Sequence, residues 1–207
     1  MQQETVQSWL DSLAAKQPTP GGGGAAALLA AMSAALLGMV SIYTTGPKWQ
    51  AQEKRMQELN SELAKLRQQA LELVDSDAEA FAAVGAAYKL PKSDESEKAA
   101  RTSAIQAALL LAAEPPQQTA VLASRLVEMA EEIAENGNAN VISDVAVASL
   151  AAEAALGAAI VNIEINQGFI NDENSKQYLS RAITAAEQSM MRASAVTSKV
   201  RTRIGQG

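Results

Sequence analysis

The stretch KWQAQEKRMQELNSELAKLRQQALELVDSDAEAFAAVGAAYK, residues 48–89, decides the fold class of this 207-residue chain. Its apolar residues recur at alternating steps of three and four, a spacing that places them on one side of an α-helix. The seam they form consists of Met56, Leu59, Leu63, Leu66, Ala70 and Leu73. A heptad repeat of this kind packs against other helices. The segment therefore predicts one long central helix within a helical bundle.

One carboxylate interrupts this apolar seam. Asp77 occupies the next seam position after Leu73, and Phe81, Val84 and Tyr88 follow it on the same helix face. An acid beside two aromatic rings would suit a flat heterocyclic ligand. An ion pair between Asp77 and a lysine or arginine of a neighbouring helix would explain the same position, and both interpretations remain open at this point.

Four consecutive glycines, Gly21 to Gly24, precede an uncharged helix predicted from about Ala25 to Thr44. Glycine is typical of positions at which a Cβ atom would collide with a neighbouring group. The free N–H groups at a helix start can also hold an anionic or carbonyl group. Close packing and ligand binding are therefore both open. The uncharged segment is long enough to span a bilayer, but its alanine-rich composition favours a buried helix of a soluble protein.

The rest of the chain also divides into helices, with prolines and capping residues at their boundaries. We predict further helices over residues 3–16, from about 93 to 113, over 117–135, over 144–167 and from Asp172 to about Arg203. No stretch alternates as a strand would. The sequence thus predicts an all-α fold, an antiparallel bundle of six or seven helices that forms a single domain over residues 1–207.

A second polar cluster lies in the turn NGNAN, residues 136–140, which leads to Asp144 in the first turn of the next helix. Asn138 and Asn140 offer amide donors and acceptors, and Asn162 lies further along the helix face that begins with Asp144. Alanines between the two ends of that face leave room for a ligand or a partner helix. An acid in the first turn often only complements the helix dipole, so a structural role is also open.

The composition excludes several kinds of chemistry. Seventeen basic and 23 acidic residues give a net charge of −6, which argues against nucleic acid and anionic membranes as partners. Cysteine and histidine are absent, so thiolate and imidazole catalysis are excluded and we expect no metal site. Proton transfer must then fall to carboxylates, lysine, tyrosine or the backbone. The N-terminal residues lack the features of a secretory signal, and we expect a cytoplasmic protein.

Five segments together resemble one protein family, the cyclodeaminase/cyclohydrolase family. They are, in chain order, PTPGGGG (18–24), TTGPKW (44–49), AYKLPK (87–92), NGNANVISD (136–144) and NIEIN (162–166). They occur in the order typical of the family, and the resemblance covers nearly the whole chain. The family includes the cyclodeaminase domain of formiminotransferase-cyclodeaminase and stand-alone methenyltetrahydrofolate cyclohydrolases.

The resemblance implies an all-helical folate enzyme that is a homodimer with sites at or near the subunit interface. Its members either close formimino-tetrahydrofolate to the 5,10-methenyl form with loss of ammonia or hydrolyse the methenyl form to 10-formyl-tetrahydrofolate. Both reactions pass through a tetrahedral carbon between N5 and N10. We expect a tetrahydrofolate derivative as substrate, with or without a polyglutamate tail, and no permanently bound cofactor.

The candidate site residues divide by role. We expect Asp144 to be the leading acid/base and Asp77 to be a second carboxylate that binds the pterin or assists proton transfer. The expected substrate-binding residues are Gly21, Gly22, Gly23, Tyr88, Lys89, Lys92, Asn138, Asn140 and Asn162. Lys89 and Lys92 are assigned to the glutamate tail. The competing prediction is a non-enzymatic helical dimer, a scaffold or ligand sensor, which explains the heptad seam equally well but not the glycine run or the asparagine turn.

Overall fold

The structure, a computed structural model, describes residues 4–206 as seven α-helices joined by short connections. The helices are α1 (Val6–Ala14), α2 (Gly22–Ile42), α3 (Gln50–Tyr88), α4 (Glu95–Ala112), α5 (Glu114–Asn136), α6 (Ile142–Phe169) and α7 (Glu173–Gly205). Single 3₁₀ turns at Pro47–Trp49 and Ala139–Val141 precede α3 and α6. The described part of the chain contains no strand, and the predicted all-α class is confirmed.

Four helices form a row in the order α3, α2, α6, α7. Each packs against its neighbours in the row, and α5 packs across one side of the row, where it contacts all four helices. The shorter α4 packs mainly against α3, with smaller contacts to α6 and α5. The outer side of α2 and α6, opposite α5, therefore has no helix of the described chain over it.

Small side chains allow the row to pack closely. Alanines with no exposed surface occupy the inner sides of α2 and α6, namely Ala26, Ala30, Ala148, Ala152, Ala155 and Ala159. Without a bulky side chain at these positions, helix backbones approach one another closely, while alanine keeps the highest helix propensity. Of the alanines predicted on the Asp144 face of α6, Ala148 and Ala155 are buried in this packing, whereas Ala151 and Ala158 are half-buried.

Two helices, within Gly22–Ile42 and Ala139–Phe169, are long and apolar enough to cross a membrane by length and composition. About half of each apolar window is buried inside the bundle, 50% and 44% respectively. One or two such helices are weak evidence of a membrane protein, because core helices of soluble proteins also have this length and composition.

The long helix predicted from the heptad seam is present as α3. Its seam residues Met56, Leu59, Leu63, Ala70 and Leu73 are buried, and Leu66 is half-buried against the core, so the predicted seam is confirmed. At 1.5 Å per residue, α3 is about 58 Å long and α2 only about 32 Å. Because Asp77 lies beside the start of α2, residues 78–88 extend beyond it and form an overhang supported mainly by α4.

Several helices begin earlier than predicted. The helix predicted from Ala25 starts at Gly22, so the glycines form its first turn rather than a loop before it. Helix α5 starts at Glu114 and includes Pro115 and Pro116, whose missing N–H groups would have no intrahelical partner in a first turn. The first predicted helix, 3–16, begins with Gln3, which lies outside the described residues; the described helix is Val6–Ala14.

The helix start predicted near Ser93 is capped by its neighbour instead. The carboxylate of Asp94 accepts the N–H of Glu97, and the carboxylate of Glu97 accepts the N–H of Ser93. This reciprocal pair satisfies two backbone donors at the start of α4. Asp172 caps α7 as predicted, since its carboxylate accepts the N–H of Ser175.

Candidate active site

A cavity of about 280 Å³ lies where the first turn of α2 meets the overhang of α3 and the C-terminal half of α6. Its lining comes from the loop before α2, the glycines, the overhang, α4 and α6, and consists of Pro18, Thr19, Gly21, Gly22, Gly23, Asp77, Phe81, Val84, Tyr88, Leu109, Ala112, Asn162, Ile165, Asn166 and Phe169. The structure thus brings together six predicted site residues: the three glycines, Asp77, Tyr88 and Asn162.

The carboxylate of Asp77 lies against the first turn of α2. Its Oδ2 atom accepts the N–H of Gly24 at an N–O distance of 3.0 Å. A Cβ at Gly23 would overlap the Asp77 carboxylate. Glycine is therefore required here by the close approach of a side chain from α3, and the glycine run serves packing and site formation together.

Burial governs the protonation of Asp77. Its removal from water raises the pKa of the carboxyl group above its ordinary value, and the hydrogen bond from Gly24 opposes this effect without cancelling it. No basic residue of the described chain forms an ion pair with Asp77. The ion-pair interpretation of this seam position is therefore wrong, and a desolvated acid faces the cavity.

Aromatic and aliphatic side chains surround the mouth of the cavity. Large apolar side chains are rarely left this exposed together without a partner or ligand. The four at the mouth, with their exposed fractions, are Phe81 (53%), Tyr88 (46%), Ile165 (59%) and Phe169 (57%). The predicted face of Phe81, Val84 and Tyr88 with Asp77 is present, and α6 supplies the opposite wall.

Two asparagine amides complete the inner wall. The Nδ2 atom of Asn162 donates to the carbonyl oxygen of Ala158, which leaves its Oδ1 atom as an acceptor beside Gly22. The Nδ2 atom of Asn166 donates to the carbonyl oxygens of Asn162 and Ala112. Asn166 was missing from the predicted site, although its spacing of four from Asn162 places both on one helix face.

Five predicted site residues do not line this cavity. Lys89 and Lys92 are exposed in the connection between α3 and α4. Asn138, Asn140 and Asp144 lie at the opposite end of the row, because α6 runs from Asp144 back towards the cavity. The 18 residues between Asp144 and Asn162 correspond to about 27 Å along the helix axis. Within one chain, Asp144 and Asp77 cannot act on the same substrate atom.

Asn138 ties the two loops at that opposite end together. Its Nδ2 atom donates to the carbonyl oxygen of Tyr43, and its backbone N–H donates to the hydroxyl oxygen of Thr44. Its Oδ1 atom accepts the N–H of Asn140. The asparagine turn and the TTGPKW segment therefore meet in space, and the amide of Asn138 is used for structure in this chain.

Other candidate sites in the described chain are weaker. A groove of about 1000 Å³ lies between α3, α5 and α7, but its carboxylates Glu72 and Glu114 are exposed to water. No group of three or more acidic side chains in residues 4–206 could hold a metal ion. The cavity at Asp77 thus holds a titratable group that is desolvated, accessible and without a basic partner in residues 4–206, a combination typical of catalytic acids.

A helical bundle with a desolvated acid at the base of an aromatic cavity is typical of an all-α enzyme that binds a small ligand. Comparison with known proteins then gives the family. The family model described as Formiminotransferase-cyclodeaminase matches residues 5–185. This chain belongs to that family, and the resemblance noted from five sequence segments is confirmed.

Individual relatives agree with this assignment. The chain is 39% identical over 170 residues to a methenyltetrahydrofolate cyclohydrolase of Methylorubrum extorquens, covering 82% of each chain. It is 32% identical to the formimidoyltransferase-cyclodeaminase of Rattus norvegicus over 89% of this chain but only 34% of that protein. The chain therefore spans about a third of the length of the rat relative. These relatives are named as enzymes, which disfavours the scaffold interpretation.

A solved structure shows the same fold. The crystal structure of a formiminotetrahydrofolate cyclodeaminase from Thermotoga maritima superposes with a TM-score of 0.88 and 28% sequence identity. The superposition covers 98% of each chain.

The close approach at Gly23 gives a stability prediction. We expect Gly23→Ala to lower the free energy of unfolding by about 1–3 kcal/mol, because the new Cβ must displace the Asp77 carboxylate. Denaturant unfolding measures the change. Gly85→Ala is the matched control, since a Cβ there meets no atom within 4 Å and removing a helical glycine is stabilising by roughly 0.5–1 kcal/mol. A Gly23→Ala protein as stable as wild type would contradict the described contact.

The raised pKa of Asp77 gives a pH prediction. The folded protein holds the Asp77 proton more tightly than the unfolded chain, so the charged carboxylate reduces stability. This loss of stability is absent below the ordinary aspartate pKa of about 3.9. It grows as the pH rises from there through the raised pKa of the folded protein, and it is complete above that raised pKa. Asp77→Asn should therefore raise the melting temperature at pH 7 and change it little near pH 3.

The control for this measurement is Glu79→Gln. Glu79 is exposed on the same helix, so the substitution changes the net charge equally without removing a buried carboxylate. A melting temperature for Asp77→Asn at pH 7 that falls below that of wild type would show that the charged form of Asp77 stabilises the fold.

Proposed function

We propose that this chain is a 5,10-methenyltetrahydrofolate cyclohydrolase in which the carboxyl group of Asp77 is the general acid/base. The observation that carries the proposal is the position of Asp77: desolvated, held by the N–H of Gly24 and facing a cavity of about 280 Å³ with aromatic walls. The proposal is supported by the cyclohydrolase relative, which this chain matches over most of both lengths.

The reaction needs one proton acceptor that becomes a proton donor. As water adds to the one-carbon bridge, its oxygen bonds to the carbon and one of its protons passes to the Asp77 carboxylate. The bond from this carbon to N5 then breaks, and the Asp77 carboxyl returns the proton to N5. The second water proton leaves to solvent as the formyl group forms on N10. A carboxyl group with a raised pKa suits this exchange, because its two protonation states are closer in energy at neutral pH.

The same carboxylate complements the charge of the substrate. The methenyl bridge is an amidinium cation, and an anionic Asp77 without a basic partner would attract it in a site of reduced dielectric. We further propose that Oδ1 of Asn162 accepts hydrogen bonds from the pterin and that the first-turn N–H groups of Gly22 and Gly23 bind its carbonyl oxygen. The aromatic side chains at the mouth would pack on the ring planes.

A cyclodeaminase is the second candidate function, and the close superposition with the Thermotoga maritima cyclodeaminase favours it. In that reaction N10 attacks the formimino carbon, and ammonia leaves from the same tetrahedral carbon. Asp77 would take the proton from N10 and give it to the departing nitrogen. The two functions thus use one site and one acid/base, and only the substrate distinguishes them.

The test follows two substrates in parallel. With 5,10-methenyl-tetrahydrofolate we expect loss of its absorbance faster than the spontaneous rate, and with formimino-tetrahydrofolate we expect no ammonia release. Asp77→Asn should lower kcat by roughly 10²–10⁴-fold, the usual contribution of a general acid or base. Glu79→Gln should retain the wild-type rate. Ammonia release would select the cyclodeaminase, and an Asp77→Asn protein with wild-type kcat would remove Asp77 from the mechanism.

We also propose that the protein is a homodimer joined through the front face, the outer side of α2 and α6. The face carries no basic residue, and apolar side chains are exposed along it. They are Met32 and Ile42 of α2 and Val147, Leu150, Ala154, Val161 and Ile165 of α6, and the half-buried Leu28 and Met39 lie between those of α2. An apolar surface that crosses two neighbouring helices is typical of a subunit interface.

The net charge of −6 and the helices buried within the bundle support a cytoplasmic enzyme without nucleic-acid or membrane partners.

Such a dimer gives Asp144 a role that it cannot have within one chain. The half-buried Asp144 lies just before the exposed stripe of α6, which runs from Val147 to Ile165 beside the cavity. A two-fold axis perpendicular to the helices would place each Asp144 end against the cavity end of the other copy. We propose that Asp144 and the exposed Asn140 complete the site of the partner, and that Lys89 and Lys92 remain near the tail of the folate.

Complementation between two inactive variants tests this arrangement. Asp77→Asn and Asp144→Asn, each alone, should be inactive, because every site then lacks one carboxylate. A mixed dimer isolated through two different affinity tags should recover about half of the wild-type specific activity, since one of its two shared sites is intact. A mixed dimer without activity would place both residues in one chain's site, and an active Asp144→Asn homodimer would remove Asp144 from catalysis.

A further inference from the structure

The overhang of α3 ends against an arginine from α4. The Nε and Nη2 atoms of Arg101 donate to the carbonyl oxygen of Tyr88, at 3.2 and 3.1 Å. The guanidinium carbon also lies 5.5 Å from the centre of the Tyr88 ring. Arg101 therefore caps the negative end of the α3 dipole and stacks on the Tyr88 ring at the mouth of the cavity.

Arg101 keeps hydrogen-bonding capacity after making these contacts. A guanidinium has five N–H donors, and the Tyr88 carbonyl takes two of them. The remaining Nη1 and Nη2 donors form the edge that binds carboxylates in a bidentate manner. The nearby Glu97 accepts the N–H of Ser93, and Arg101 forms no ion pair with a carboxylate of residues 4–206. Arg55, Arg125 and Arg192 each bind a glutamate through two nitrogen atoms.

We propose that Arg101 binds a carboxylate of the glutamate that ends the substrate, and that it holds Tyr88 in place for the benzoyl ring. This inference rests on the proposed folate substrate. The 11 residues between Asp77 and Tyr88 correspond to about 16 Å along α3, close to the reach of an aminobenzoyl-glutamate arm whose one-carbon bridge lies at Asp77. Tyr88 lines the cavity of about 280 Å³, so an arm that leaves the cavity on this side would pass Tyr88 and reach Arg101.

The geometry also distinguishes Arg101 from the two lysines assigned to the tail. Lys89 and Lys92 are exposed on the connecting loop, whereas Arg101 is half-buried and fixed by three contacts to Tyr88. A planar, pre-positioned donor loses less side-chain entropy on binding a carboxylate than a flexible lysine does.

The experiment compares a substrate with the glutamate and one without it, methenyl-tetrahydrofolate and methenyl-tetrahydropteroate. Arg101→Ala should raise KM for the glutamyl substrate by at least about tenfold, the usual effect of losing a charge-assisted hydrogen bond. KM for the pteroate should change much less, and kcat should stay within about twofold for both. Arg101→Lys should recover part of the effect, because it keeps the charge but not the bidentate edge.

Lys98→Ala is the matched control, since Lys98 lies on the same helix, pairs with Glu95 and does not contact Tyr88. It should leave both substrates unaffected. An equal loss on the two substrates in Arg101→Ala would mean that Arg101 acts only by holding Tyr88, and it would overturn the carboxylate site while leaving the cyclohydrolase proposal intact. A wild-type protein that converts neither substrate would overturn both proposals.

Discussion

The hydrogen bond from Gly24 to Asp77 is the interaction on which the candidate site depends. It joins the first turn of α2 to the middle of α3, and it forms only because Gly23 has no side chain in the space that the carboxylate fills. The same contact sets where α3 passes the start of α2 and therefore how much of α3 extends beyond it. Packing, the protonation of Asp77 and the cavity wall all follow from this one close approach. It buries an acid at the wall of the cavity, and this burial lowers the stability of the fold.

Much of this could be predicted from local patterns. The seam of α3 repeats over several turns, and a periodic signal of that length predicts both a helix and its buried side. Asp77 was identified because it breaks the seam, and Phe81 and Tyr88 because they continue its face. The start of α2 was misplaced by three residues, since glycine has a poor helix propensity and the contact that compensates for it lies 53 residues further along the chain.

The distribution of the site over the bundle could not be predicted in the same way. Asp144 and Asp77 both looked like catalytic carboxylates, but Asp144 lies at the end of α6 far from the cavity. That placement depends on which way α6 runs beside α2, and no local spacing carries that information. Arg101 was missed for a similar reason. Its target is a backbone carbonyl at the end of another helix, and any residue at position 88 would supply one. Asn166 could have been predicted, because it follows Asn162 by about one helical turn and therefore lies on the same face of α6.

The overhang of α3 divides the protein into parts that can change independently. The row and α5 contain most of the buried side chains and hold Asp77, whereas the mouth is built by residues 78–88 with α4 and the end of α6. Substitutions in the overhang or on α4 reshape the opening without disturbing the alanine-packed interior. A fold with this division can change the shape and charge of its opening over many generations while the buried interior around Asp77 stays the same.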